Sequence, residues 1–221
     1  MKKKLIIIGG GSHAESMIDT INSMGVYKIV GIIDTKEKQN TYVSGVKIIG
    51  EDKDLEYYYY LGIRNAAIAI GSIGKIEPRL RKYKACKKIG YQFPNIIDNS
   101  AKVSKDVVMG EGNFIGKGSI INTKVRIGNA CIINTGAIIE HGGVIESFVH
   151  IAPGSVLCGN VRVEKNTHIG AHSTIIQNVA IGQGTMVGAG SLVLKDIPSN
   201  RLVFGSPVKE VTVYEQSTYD C

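Results

Sequence analysis

The chain has 221 residues, 43% of them hydrophobic, with 27 glycines and no tryptophan. That length holds one large domain or two small ones with frequent turns, and no apolar run approaches the roughly 20 residues of a membrane span. The formal charge of +7 comes entirely from residues 1–96, which hold 16 Lys+Arg against 9 Asp+Glu, while residues 97–221 are neutral. A basic half suits an anionic ligand such as a nucleotide; the solvated face of a Lys-rich helix would look the same. No groove-reading motif accompanies the charge, which argues against nucleic acid as a partner.

The opening MKKKLIII has an apolar stretch too short for a secretory segment of about 7–15 residues. It predicts a cytoplasmic protein that begins on a strand, Lys4 to Ile8. Gly9, Gly10 and Gly11 follow, then a helix from Ser12 to Met24 stopped by Gly25. A second strand, Lys28 to Ile33, ends at Asp34, and a third, Asn65 to Ile70, ends at Gly71 and Ser72. Arg79 to Lys88 reads as a basic helix broken by Gly90. Strand–helix alternation predicts a small Rossmann-like parallel sheet over residues 1–94. Gly9, Gly11, Ser12 and His13 fit a GxGxxG/A turn, where glycines admit a phosphate and a helix N-terminus supplies free N–H groups. Asp34 can accept from a ribose hydroxyl or a base N–H. A tight turn without a ligand would use the same glycines. Tyr57 to Tyr60 read as a surface packed on its neighbour, with no chemistry assigned.

From Ile97 to Pro198 the chain keeps a period of six for 17 hexads, and every first position, from Ile97 through Val193, is aliphatic or Met. The fifth position is small or β-branched in most, as in Ala101, Val125 and Ala137, with Asn113 and Gly143 as exceptions. A helix repeats every 3.6 residues and a strand every two. Six fits a short strand and a corner, three times per lap, in a parallel β-helix over residues 95–221 whose coils bury their apolar faces only on each other.

The order of a G-G-G-S-H turn and a hexapeptide coil containing Asn134, Glu140-His141 and Val149-His150-Ile151-Ala152-Pro153-Gly154 resembles the bacterial nucleotide-sugar amine N-acetyltransferases and the related sialic acid O-acetyltransferases. Gly205-Ser206-Pro207-Val208-Lys209 is similar to their GxPAK tail, with Val208 in place of Ala. The resemblance implies a left-handed winding and acetyl-CoA as co-substrate. It implies a nucleotide-linked amino sugar as acceptor, of the 4-amino-4,6-dideoxy kind, held by the glycine turn, Asp34, Gly71 and Ser72. It implies His141 as general base, Glu140 orienting it, and Asn134 and His150 completing the site, without a covalent acyl-enzyme or a metal.

The eighteen-residue lap adds to this. His141 and His150 are half a lap apart, whereas Asn134 and His150 are nearly a full lap apart and share a side. Glu140-His141 can therefore meet Asn134/His150 only across a subunit interface, which predicts a homotrimer. His168 should stack on His150. Gly159, one lap after His141, leaves space for the thioester end of acetyl-CoA, and His150, Ala171 and Ala189 would line the rest of that ligand. Three alternatives stay open: sugar O-acetylation, a β-helix metalloenzyme similar to γ-class carbonic anhydrases, and a scaffold without turnover. The four cysteines, Cys86, Cys131, Cys158 and Cys221, show no metal-ligand spacing and read as reduced thiols.

Overall fold

The computed structural model describes residues 2–213, so Cys221 lies outside the described residues. The described chain divides into two compact units, one of residues 2–71 and 77–99, the other of residues 72–76 and 100–213.

The first unit is an α/β sandwich. Strand β1 (Lys3–Ile8) leads into helix α1 (Ser12–Met24), and β2 (Tyr27–Ile33) pairs parallel with β1. A hairpin, β3 (Tyr42–Val43) and β4 (Val46–Gly50), then helix α2 (Leu55–Tyr60), strand β5 (Asn65–Ile68) and helix α3 (Glu77–Ile89) follow. The sheet order is β3-β4-β2-β1-β5, with only β3 antiparallel. Helix α1 buries Ala14, Met17, Ile18 and Ile21, the spacing of one helical face. Gly25 ends it in the left-handed conformation, φ 69°, with its N–H bonded to Asn22 O. On α3 the buried stripe is Arg79 and Cys86, with Tyr83 between them stacked on Phe93 at 4.8 Å. The tyrosine run forms α2: Tyr58 donates to Ile49 O at 3.0 Å and Tyr59 meets the Tyr91 ring edge-on, while Tyr57 and Tyr60 are exposed.

The second unit is a three-sided coil of two-residue parallel strands. Each predicted aliphatic or Met first position, from Val103 to Val193, closes one of these strands, and Ile97 closes Ile96–Ile97 at the end of the first unit. One face stacks Lys102–Val103, Ile120–Ile121, Ile138–Ile139, Val156–Leu157, Thr174–Ile175 and Leu192–Val193. A second runs from Val108–Met109 to Ala180–Ile181. A third stacks Phe114–Ile115, Ile132–Ile133, His150–Ile151, His168–Ile169 and Met186–Val187, then Arg201–Gly205 and its antiparallel partner Val208–Val213. Between the two-residue strands the register is eighteen residues, as in Ile133 opposite Ile151, and it shortens to sixteen where Met186 meets Leu202. From Ile115 onward every first-position side chain is buried, each worth roughly 1.5–3 kcal/mol. Val103 and Met109, in the opening lap, are half-buried. Fifth-position hydroxyls are satisfied inside: Ser155 Oγ donates to Gly170 O at 2.8 Å and Ser173 Oγ to Gly188 O at 2.9 Å.

The corners share one device. Every sixth residue from Gly112 to Gly190 has a positive φ, between 55° and 70°, including Lys124, Ala130, Phe148 and His172. Glycine or asparagine suits that conformation, but the ladder of backbone bonds on either side imposes it on other residues as well.

Candidate active site

In the first unit the ends of β1, β2 and β5 surround a cleft of about 770 Å³. Gly9, Gly11, Ser12, His13, Asp34 and Gly71 line it, with Lys36, Lys38, Arg81 and Lys82. Gly9 takes φ 96°, and a Cβ there would come within 2.6 Å of Ile70 Cγ1. A Cβ on Gly10 would come within 2.9 Å of Asp34 Oδ2, because that oxygen accepts the Gly10 N–H at 2.6 Å. Asp34 also accepts from Thr35 N at 2.7 Å and Lys38 Nζ at 3.2 Å. Burial pushes the Asp34 carboxyl up, but the Thr35 and Gly10 amides and the Lys38 ammonium outweigh it and hold it below the ordinary value. Much of this carboxylate is therefore committed to pinning the glycine turn to the end of β2.

His13 is enclosed. Burial, with the Arg79 guanidinium second, brings its pKa down to about 4, so it is neutral at pH 7. Arg79, only 1% exposed, donates to Ile68 O at 2.8 Å and Ile70 O at 2.7 Å, closing the carbonyls at the end of β5. The sequence offered Arg79 only as one cation of a basic helix, facing an anionic ligand or solvent. The missed signal is that Arg79, Tyr83 and Cys86 fall at i, i+4 and i+7, the buried face of α3. Lys82 forms an ion pair with Asp52 at the cleft rim. Ser72 is not in the cleft: it is a buried residue of the second unit, where it lines a small recess with Phe148, His168, Thr185 and Met186.

In the second unit, His141 is exposed at the corner after Ile138–Ile139. Its imidazole lies on Gly159, where a Cβ would come within 2.6 Å of the ring Cε1. The space left by Gly159 is thus filled by the imidazole itself. Glu140 Oε2 accepts from Asn122 Nδ2 at 2.9 Å and from the His141 backbone N–H at 3.3 Å, so its hold on His141 is through the main chain. Asn122, one lap before Glu140, was legible in the eighteen-residue spacing and was missed.

At a different corner, Asn134 Nδ2 is 3.5 Å from His150 Nε2, and Asn134 Oδ1 accepts the Thr135 N–H at 2.8 Å. His150 is buried, and its ring stands edge-on to that of His168, centroids 4.7 Å apart at 83°. Ala171 and Ala189 continue the corner that begins at Asn134, and the Gly190 N–H donates to Ala171 O. Within one chain His141 thus sits at the corner after Ile138–Ile139, whereas His150 lies in a strand of the third face.

Among the described residues no group of three or more His, Cys, Asp or Glu is placed to hold a metal ion. No described helix is long and apolar enough to cross a membrane. Cys86, Cys131 and Cys158 form no disulfide among the described residues; burial, the largest influence, pushes the Cys86 thiol up to about 12.

The PglD N-terminal domain family matches residues 4–88, and the bacterial transferase hexapeptide family matches residues 142–177 and 160–195. No curated protein matches the chain. Among solved structures, a GDP-perosamine N-acetyltransferase from Caulobacter crescentus, a histidine-to-alanine variant with CoA and GDP-perosamine, is 32% identical with a TM-score of 0.89; 95% of this chain and 97% of that one are covered. The acetyltransferase domain of PglB from Neisseria gonorrhoeae, with acetyl coenzyme A, is 26% identical with a TM-score of 0.88, over 96% and 100% of the two chains. WeeI from Acinetobacter baumannii shares the fold at 19% identity and a TM-score of 0.75, over 95% and 100%. The coil is therefore a left-handed parallel β-helix preceded by a small α/β unit.

Proposed function

The chain belongs to the nucleotide-sugar N-acetyltransferases of the hexapeptide-repeat class, which use acetyl-CoA, and from that premise we propose the following reaction. The acceptor is the amine of a nucleotide-linked 4-amino-4,6-dideoxy sugar, and the reaction runs in the cytoplasm. The observation that carries this reading is the exposed His141 imidazole, seated on Gly159 and anchored through its backbone by Glu140. The amine nitrogen attacks the thioester carbonyl carbon while His141 takes the amine proton. The C–S bond then breaks, and the CoA sulfur leaves with that proton. Donors from Asn134 and His150 would meet the oxyanion of the tetrahedral intermediate. In the cleft, the α1 N-terminus and the pinned glycine turn would take the diphosphate.

The reading requires a trimer in which His141 of one subunit faces Asn134 and His150 of the next. Their separation within one chain supports this, as does the outward row Ile120, Ile138, Val156, Thr174 and Leu192 on the first face, where Ile120 is 41% exposed. That face would lie between prisms, while Ala171 and Ala189 would flank the CoA arm.

The test has two arms. Amino-sugar nucleotides carrying UDP, dTDP, GDP or CMP are screened with acetyl-CoA while thiol release is followed; turnover with a hydroxyl sugar and none with any amine would refute N-acetylation. His141→Ala and His150→Ala proteins are then mixed after dissociation. Shared sites should regain activity in the hybrids, and no recovery would refute them.

A further inference from the structure

We infer that His168 is a positioning residue for His150, fixing the orientation in which His150 presents its ring at the acetyl-donor site. The placement of His150 at that site rests on the function proposed above; the contact between the two rings does not.

The two histidines are lap-mates on the third face, with Cα atoms paired in register, and the His168 N–H donates to Thr185 O at 2.9 Å. Their rings meet edge to face at 4.7 Å and 83°, a favoured geometry for aromatic pairs. On the side of His150 toward the preceding lap lies Asn134, with Nδ2 3.5 Å from Nε2. His150 is therefore held between an amide and a second imidazole.

His168 is itself held. Ser72, Ile76, Phe148, Thr185 and Met186 line a recess around it with about 10 Å³ of free space, at the lower limit for a single water. Its Nδ1 has no hydrogen-bond partner among the described residues, and burial lowers its pKa to about 4. At neutral pH the residue is an uncharged ring, too poor a base to take part in proton transfer, and its contribution to His150 is shape. The segment 72–76 backs that recess, with Ser72 7% and Ile76 5% exposed.

Shape without hydrogen bonding makes a distinctive demand, that a phenyl ring should serve. The experiment compares His168→Ala and His168→Phe in full-length protein carrying ¹³C-labelled histidine. In His168→Ala, kcat/KM for acetyl-CoA should fall about five- to tenfold, the equivalent of one ring–ring contact. KM for the sugar nucleotide should stay put, and the His150 ring signal should shift or broaden. His168→Phe should bring kcat/KM and the His150 signal back near wild type. An unchanged His150 signal in His168→Ala, or a phenylalanine variant as impaired as the alanine one, overturns the inference. A displaced His150 signal with unaltered kinetics upholds the positioning and instead removes His150 from the donor site.

Discussion

In the α/β unit His13 is enclosed under the influence of a buried arginine and stays uncharged down to about pH 4, whereas in the coil His141 stands open with a glycine beneath its ring. The surroundings differ in the same sense. Around the cleft, Asp34 is bonded to Gly10, Thr35 and Lys38, and Lys82 to Asp52, so polar groups hold one another and shape a cavity. Among the described residues the hydrogen bonds at His141 are made by its backbone, and the imidazole stands exposed. A cleft that recognises gains from committed partners, because they fix its geometry before the ligand arrives. A base that must collect and return a proton gains from having none.

The contrast is tested most severely at the open histidine. His141→Ala should lower kcat by about 10²–10⁴-fold while both KM values move little, since general-base catalysis is worth that much. Steady-state rates near wild type would remove the imidazole from the chemistry. Next in size is Gly159→Ala. The new Cβ would displace an exposed ring rather than backbone, so kcat should drop about tenfold with the thermal midpoint unchanged. A loss of stability without a loss of rate would mean that the corner, not the ring, needs the glycine.

The cleft should respond in binding instead. Gly10→Ala drives a methyl toward Asp34 Oδ2 and Ile48 Cδ1, and KM for the sugar nucleotide should rise about fivefold, a little under ~1 kcal/mol, with saturated kcat kept. Smallest is a pH effect at Asp34. Its folded pKa is depressed, so its stabilisation is present above the unfolded value of about 3.9 and drains as pH falls through the lower folded value. Asp34→Asn should melt a few degrees below wild type at pH 7, and calorimetry should show the gap closing as the pH falls below the ordinary carboxylate value of about 3.9. A gap that persists in acid would assign the loss to packing.

Legibility differed between the units for physical reasons. In the coil each lap repeats the same burial, so the aliphatic first positions announce every strand from Ile97 to Val193. The same regularity hides the left-handed corner: Lys124, Phe148 and His172 adopt it because their neighbours do, and nothing in their side chains signals it. In the α/β unit, β1, α1, β2 and α3 carry clear patterns, but the hairpin of β3 and β4 was passed over. Ser44-Gly45 between Val43 and Val46 is its turn, with φ 44° and 77°, and a two-residue turn between β-branched residues was the available cue. Of the residues expected around the nucleotide, Gly9, Gly11, Ser12, His13, Asp34 and Gly71 line one cleft. Ser72, next in sequence, leaves it because the chain crosses there to the second unit. Arg79 escaped notice since a buried guanidinium looks, in a string of letters, like any surface cation.

The uniform lap carries an evolutionary corollary. Insertions and deletions between Gly112 and Gly190 are sorted by arithmetic: eighteen residues lengthen the stack by one storey and leave every vertical column intact. Six residues turn all downstream corners through a third of a revolution. Such an event between His141 and His150 would deliver the second histidine to the wrong side of the tower, so drift in length should be confined to whole storeys or to the ends.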